Sequence, residues 1–197
     1  MSFSGDSPED SQSAIMAATY TALCEHGYAA LSMAKIADEL TMSKSSLYYH
    51  YDDKDDLLST FLGYVIEEFA TDVSVVEEQD ANAQLRAFFD RVLPRDLDES
   101  GYEFHVVLLE LRAQAPHHES FREQFDRIDG LLKETIAGFI ETGIEQGQFR
   151  AVDPNETARL LVALIRGGRV DRVSRSDRSL GELRDALDAY LDSHLLA

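Results

Sequence analysis

The sequence predicts an all-α protein in which a small N-terminal helical domain is joined by a long helix to a larger helical domain. Apolar residues recur at spacings of three and four along most of the 197 residues, which is typical of amphipathic helices. No stretch shows the strict alternation of a half-buried strand, and only four prolines interrupt the chain. The composition, with 44% hydrophobic residues, is sufficient for a substantial core.

Caps, a glycine and prolines mark several of the helix ends. Residues 1–8 are polar and predicted to be disordered, and the first helix, at about 8–26, ends at Gly27. Ser32 caps a second helix at 33–40, a turn follows at 41–43, and a third helix covers 44–51. Asp52 and Asp53 cap a long fourth helix, predicted over 54–78. Five more helices are predicted near 81–93, 101–115, 117–147, 155–174 and 179–195, with Pro94, Pro116 and Pro154 at breaks. We therefore place the domain boundary between 9–53 and 54–197.

The second and third helices form a predicted helix-turn-helix, whose second helix enters the major groove of DNA. The first side chains of the third helix can hydrogen-bond to base edges and phosphates, and its tyrosine hydroxyls and histidine can hydrogen-bond to phosphate oxygens. Lys54 adds a cation at the start of the fourth helix, where the helix dipole favours an anion. Leu47 and Tyr51 are expected in the core, and the motif alone leaves open whether Tyr48 is partly core and His50 merely exposed. The predicted DNA-binding residues are Ser32, Lys35, Lys44, Ser45, Ser46, Tyr48, Tyr49, His50 and Lys54.

The net charge of −19 argues against a strong electrostatic attraction to DNA, because a polyanion repels an acidic protein. The few lysines are nevertheless clustered: three of the four lie between Lys35 and Lys54, and no arginine precedes Arg86. An acidic, lysine-poor surface suits a very salty cytoplasm, where screening removes self-repulsion. We therefore hypothesise a halophilic source, with an ordinary acidic protein as the alternative.

The N-terminal segment resembles the DNA-binding domain of the TetR/AcrR family of transcriptional regulators. The match covers residues 13–62 and includes Gly27-Tyr28, Ile36-Ala37, Leu47 to Tyr51, and Lys54 with Leu57-Leu58. The resemblance implies the same DNA contacts, apart from Lys35, in a homodimer that reads a pseudo-palindromic operator. The sequence departs from the family pattern at two places, which weakens the resemblance there. Thr41 stands where the family usually has glycine, and Asp52-Asp53 replace neutral or basic residues.

Residues 104–173 resemble one C-terminal subtype of the same family, which implies a domain that binds a small-molecule effector and pairs two protomers. No cofactor or metal is expected. The predicted dimer interface, for which an intramolecular core is the alternative, comprises Leu161, Leu164, Ile165, Leu180, Leu183, Leu187, Tyr190 and Leu191. The predicted ligand-binding residues are Phe61, Tyr64, Phe88, Phe89, Phe104, His105, Leu108, Phe121 and Phe125, most of which are also compatible with ordinary core.

Two polar patterns leave alternatives open. Arginine recurs every three residues from Arg166 to Arg178, which favours salt bridges and helix capping over an anion site. His117 and His118 beside Glu119 are predicted to be solvated, because adjacent histidines point to different sides of a helix and do not share a metal.

The sequence does not support an enzyme or a membrane protein. It contains no HExxH, P-loop or GxGxxG motif, and no run approaches the ~18 apolar residues of a membrane span. Its single cysteine, Cys24, and its acidic start favour a cytoplasmic location. We expect a DNA-binding, ligand-responsive repressor. The alternative is a helical small-molecule-binding or scaffolding dimer that has lost DNA binding.

Overall fold

The structure is a computed structural model that describes residues 8–40, 44–73 and 80–197, without the side chains at 8–10, 44, 46, 72 and 73. Within those ranges the chain is helical, with a single isolated bridge between Phe149 and Leu196 in place of any strand. The α-helices are α1 (Pro8–Ala30), α2 (Met33–Glu39), α3 (Lys44–His50), α4 (Lys54–Val73), α5 (Ala81–Val92), α6 (Glu99–Gln114), α7 (Glu119–Glu145), α8 (Pro154–Ser174) and α9 (Gly181–Tyr190), followed by a π-helical turn (Leu191–Leu195).

The all-α prediction is confirmed, and the helix positions agree with it to within a few residues. The main difference is α1, which continues past its predicted end through a kink at Gly27. The predicted disordered tail, the turn at 41–43 with the atypical Thr41, and the end of the fourth helix at 74–78 fall largely or wholly outside the described residues.

The chain divides into two compact units. Unit 1 comprises Met1–Glu68 and Val106–Phe125, and unit 2 comprises Phe69–His105 and Asp126–Ala197. Three helices, α4, α6 and α7, therefore contribute residues to both units.

Unit 1 is built around a core supplied by α1 to α4. Leu23, Ile36, Leu47, Leu58 and Leu62 are at most 2% exposed and come from all four helices. Short helices of seven residues are marginal alone, so this burial and the caps stabilise them. The predicted cap at Ser32 is confirmed, since its Oγ accepts a hydrogen bond from the Lys35 backbone N–H at 3.3 Å.

Gly27 kinks α1 because its backbone adopts a conformation that side chains disfavour. Its φ of 65° and ψ of 165° lie in a region occupied almost only by glycine. A Cβ at this position would also lie 3.1 Å from Glu110 Oε2. That carboxylate accepts a hydrogen bond from the Tyr28 backbone N–H at 2.7 Å. The kink thus lets α6 satisfy a backbone donor at the end of α1.

Unit 2 has an aromatic and aliphatic core between α5, α7, α8 and α9. The ring of Phe88 makes edge contacts with those of Phe69, Phe89 and Phe139 at centroid distances of 5.8–6.5 Å. Ile136, Ile140, Leu161 and Ile165 are fully buried around it. No helix of the described chain is both long enough and apolar enough to cross a membrane.

Candidate nucleic-acid interface

Helix α3 presents one apolar residue to the core and several polar residues to solvent. Leu47 is 0% exposed, whereas Tyr48 is 50% and Tyr49 86% exposed. Ser45 and His50 are also exposed. The two neighbouring exposed rings contribute little to the core, because aromatic rings stabilise a fold mainly when they are buried. The outer face of α3 is therefore available to a partner through aromatic rings and hydroxyl groups.

Tyr51, the last aromatic residue of the run, packs partly against the protein instead of facing solvent fully. Tyr51 is half-buried, and burial, with the negative charge of Asp56 as a further cause, raises the pKa of its hydroxyl. The Tyr49 and His50 rings meet edge-on at 5.2 Å. The alternation of Leu47 and Tyr51 with Tyr48 and Tyr49 follows the helical period, so core and outer faces are cleanly separated.

Two of the three clustered lysines already hold the end of α1. Lys35 Nζ donates to the carbonyl oxygen of Ala30 at 2.9 Å, and Lys54 Nζ donates to that of Tyr28 at 3.2 Å. Lys54 Nζ also lies 4.0 Å from the centroid of the Tyr28 ring. These ammonium groups satisfy carbonyls that a helix end leaves without donors. Each keeps further N–H groups that can reach a phosphate, since an ammonium has three donors.

The aspartates before α4 form a reciprocal cap. Asp53 Oδ1 accepts from the backbone N–H groups of Asp55 and Asp56 at 2.8 and 2.9 Å, and Asp56 Oδ2 accepts from that of Asp52 at 3.1 Å. The predicted capping role of Asp53 is confirmed. The carboxylates also place negative charge near α3, which weakens attraction to a phosphate backbone.

A polar cluster in unit 1 joins the start of α4 to the α6–α7 connection. Asp55 accepts from the Tyr28 hydroxyl at 3.2 Å and lies 3.3 Å from His118 Nδ1. The Tyr28 oxygen and His118 Nε2 are 3.3 Å apart, and the His118 ring stacks on Phe121 at 5.1 Å. We call Tyr28, Asp55, Glu110 and His118 the corner cluster. His117 is exposed as predicted, whereas His118 is only partly so, because Asp55, 63 positions away in the sequence, and the Phe121 ring both contact it.

Comparisons with known proteins match both parts of the chain. Residues 15–60 match the profile described as "Bacterial regulatory proteins, tetR family". Residues 81–196, more than half of the chain, match "BetI-type transcriptional repressor, C-terminal". The chain belongs to the TetR family. Both matches describe transcriptional regulators and not enzymes, which confirms that the protein is a regulator.

Two solved structures and one transcriptional repressor are similar to this TetR-family chain over most of its length. A TetR transcription regulator from Haloarcula marismortui is 37% identical, with a TM-score of 0.88 over 95% of this chain and 99% of that one. A regulator from Saccharomonospora viridis in complex with choline is 24% identical, with a TM-score of 0.81 over 96% and 99%, and shows the fold. The transcriptional repressor AcnR from Corynebacterium glutamicum is 23% identical over 93% of this chain and 94% of its own.

The predicted ligand residues of this TetR-family chain divide between the units. Phe61, Tyr64, Leu108, Phe121 and Phe125 belong to unit 1, and Phe88, Phe89, Phe104 and His105 to unit 2. Several already have partners in the protein, since Phe121 stacks on His118 and the Arg112 guanidinium lies 4.3 Å from the Phe125 centroid. The list remains a prediction, and within unit 2 His105 is its only ionisable member.

Most residues predicted for the dimer interface are already buried in a single chain. Leu161, Ile165, Leu180, Leu187 and Leu191 are at most 5% exposed and belong to the unit 2 core. The apolar residues left exposed on α8 are instead Leu160, at 53%, and Val170, at 42%. Ala163 and Gly167 are exposed between them. This set, the α8 stripe, follows a spacing of three and four residues and so lies on one helix face.

The arginine series from Arg166 to Arg178, which begins on α8 and continues past its end, has mixed roles that agree with salt bridging and capping. Arg166, Arg175 and Arg178 are exposed and pair with Asp129, Asp171 and Glu99 at 3.1, 3.7 and 3.2 Å. Arg169 and Arg172 of this series, together with Arg184 of α9, turn to the end of α5, where three successive carbonyl oxygens each accept from a guanidinium. Arg169 Nη2 donates to Val92 at 3.2 Å, Arg184 Nη1 to Leu93 at 2.8 Å, and Arg172 Nη2 to Pro94. Sequence patterns did not identify this arrangement, because the contacts are 77 or more residues apart.

Proposed function

We propose that this TetR-family protein is a ligand-responsive homodimeric repressor that binds a pseudo-palindromic operator through α3. The observation that carries the proposal is the outward Tyr49 ring, 86% exposed on the helix that follows the helix-turn-helix turn. In this geometry the second helix contacts base edges in the major groove, and its hydroxyl groups bind phosphates. The relatives named above include a transcriptional repressor.

The proposed DNA-binding set is Ser32, Lys35, Lys44, Ser45, Ser46, Tyr48, Tyr49, His50 and Lys54. The described members of this set carry few charges, so neutral donors supply most of the proposed phosphate contacts. A salty cytoplasm would suit this arrangement, because high salt removes the electrostatic term that basic proteins depend on.

The proposed dimer uses α8 and α9, with the α8 stripe as the exposed apolar part of the contact. The small side chains of Ala163 and Gly167 allow close approach of a second copy of the helix, and Leu160 and Val170 provide apolar area at its ends. Such a dimer would present two α3 helices about one DNA turn, ~34–36 Å, apart.

Effector binding would act on DNA affinity through helices that belong to both units. An effector that prefers one arrangement of the protomers weakens operator binding by the same coupling free energy, typically ~1–3 kcal/mol. The corner cluster supports this proposal, because Glu110 and His118 of α6 and the α6–α7 connection contact the end of α1 and the start of α4.

The direct test is operator binding by tyrosine variants. The operator is first obtained by mapping genomic binding sites, and the affinity is measured by fluorescence anisotropy. Tyr49→Phe removes one hydroxyl from each protomer and should weaken binding about tenfold or more, since each lost hydrogen bond to a charged group contributes about 1.5–3 kcal/mol. Tyr102→Phe, in unit 2, is the matched control and should bind as the wild type does.

The competing proposal is a helical binding or scaffolding dimer without DNA affinity. It predicts that no genomic site is enriched and that Tyr49→Ala and Lys44→Ala leave any residual DNA binding unchanged. Unchanged binding in both variants would exclude the repressor proposal.

A further inference from the structure

Arg172 is a buried cation whose guanidinium is only partly used by the protein. Its side chain is 0% exposed, and only Nη2 has an acceptor, the carbonyl oxygen of Pro94. Its Nε and Nη1 atoms, which carry most of the five N–H donors of a guanidinium, are buried without a hydrogen-bond partner in the described part of the chain. Leaving such donors unpaired is costly, and the cost is greater for a charged group.

A neighbouring buried arginine, Arg184, has an ion-pair partner and leaves only its Nε without a hydrogen bond among the described residues. Arg184 is 2% exposed and likewise caps α5, but its Nη2 also donates to Asp90 Oδ1 at 2.7 Å. Arg172 makes no such ion pair with a described carboxylate. Helix capping alone therefore accounts for one hydrogen bond of Arg172 and not for the burial of its remaining donors.

His105 is the second buried group with an unused polar atom. It is 8% exposed, and its Nδ1 has no partner among the described residues. Burial, together with the positive charges of Arg169 and Arg172, lowers its pKa to about 3. The imidazole is therefore neutral at physiological pH and can present an N–H donor or a lone pair at Nδ1, depending on its tautomer.

The charge of these surroundings suits a single negative charge. Arg169 and Arg172 both act electrostatically on His105, and Asp96 acts on Arg172. Arg184, on the adjacent carbonyl, is already paired with Asp90 at 2.7 Å, so Arg169, Arg172 and Asp96 together leave a net charge of +1. A carboxylate neutralises that charge, whereas a phosphate dianion would leave an excess negative charge beside Asp96.

We propose that Arg172 and His105 form the polar end of a binding site in unit 2 for a small carboxylate-bearing organic molecule. The carboxylate accepts hydrogen bonds from Arg172 Nε or Nη1, and His105 in its Nδ1–H tautomer provides a further donor. Binding at this site does not depend on the proposed function. Only the role of the bound molecule as the effector rests on the proposal that the protein is ligand-responsive. The test of the site measures binding alone, so it can fail without affecting the DNA-binding proposal.

Thermal unfolding with added anions tests the site. The probes are sodium acetate, sodium phosphate and sodium chloride, each titrated at constant ionic strength. Acetate should raise the Tm of the wild type in a saturable way, because a ligand that binds only the native state stabilises it. Phosphate and chloride should give no saturable rise. Arg172→Met should abolish the acetate effect, whereas Arg175→Met, an equal change of charge at an exposed position close by in the sequence, should retain it.

A second measurement uses the unaltered protein, in case Arg172→Met does not fold. In ¹⁵N spectra of the imidazole rings at pH 7, acetate should shift the Nδ1 signal of His105, assigned by its loss in His105→Gln. The exposed His194 signal should not move. No saturable effect of acetate, an equal effect in Arg172→Met, or tighter binding of phosphate or chloride would overturn the proposal.

Discussion

At the residue scale, the most constrained position in unit 1 is Gly27. Its positive φ strains any side chain there, and a Cβ would in addition crowd the Glu110 carboxylate at 3.1 Å. The pairing of Gly27 with Tyr28 after the first helix was visible in the sequence. The reason for it was not, because Glu110 lies 83 residues further along the chain.

Gly27→Ala should lower the free energy of unfolding by about 1–3 kcal/mol, because a side chain at this φ and ψ is strained. Urea denaturation monitored by circular dichroism measures the change. Gly138→Ala is the matched control, because this helical glycine has open space where a Cβ would lie. The substitution should raise the free energy of unfolding by about 0.8–1 kcal/mol. Equal stability of Gly27→Ala and the wild type would show that the kink is not required.

His105 should make stability depend on pH in a defined direction. Its pKa is about 3 in the folded chain and ~6.5 in an unfolded one, so below pH 6.5 the unfolded state binds a proton that the native state excludes. Stability from this group is therefore fully present above pH 6.5 and falls as the pH falls towards 3. Between pH 7.5 and pH 5 the loss amounts to about 2 kcal/mol.

His105→Gln should remove that loss, which urea titrations at the two pH values measure as a smaller difference in unfolding free energy. His194→Gln, at an exposed histidine, should keep the wild-type difference. The same pH dependence in His105→Gln and the wild type would contradict the burial argument.

At the element scale, local patterns predicted the helices well. Apolar spacing, caps and prolines located α2 to α9 to within a few residues, because each of these signals acts within one or two turns. The contacts that connect helices were not predictable in this way. Arg172 and Arg184 were missed as core residues because charged side chains are almost never fully buried without a partner, and their acceptors lie in a distant segment.

The α8 stripe belongs to this scale as a predicted interface element. Leu160→Asp should convert the dimer to a monomer in sedimentation equilibrium and weaken operator binding in parallel, since a carboxylate at a buried apolar contact is strongly unfavourable. Ala87→Asp, at an exposed position of α5, is the control and should remain dimeric. A dimeric Leu160→Asp would move the interface away from this stripe.

At the scale of the whole molecule, the acidity of the chain sets how it can bind DNA. With a net charge of −19 and three lysines per protomer near α3, few phosphates can be neutralised by cations. Two of those lysines also hold the end of α1. We therefore expect long-range attraction to contribute little to operator binding and short-range hydrogen bonds to supply most of the affinity.

The salt dependence of operator binding should consequently be shallow. Each neutralised phosphate contributes about 0.9 to the slope of log K against log salt, so six lysines in a dimer set an upper limit of about 5. Lys35→Gln should reduce the slope, and Lys133→Gln, far from α3 in the sequence, should not. A slope steeper than this limit would require cations outside the predicted set.

The most direct test of the central claim is a hydroxyl-radical footprint of the protein on its operator. The dimer with outward α3 tyrosines predicts two protected regions on one face of the duplex, centred about one turn, ~34–36 Å, apart. In Tyr49→Ala both regions should weaken together. A single protected region, or a footprint identical in Tyr49→Ala and the wild type, would contradict the claim that α3 of each protomer binds the DNA backbone.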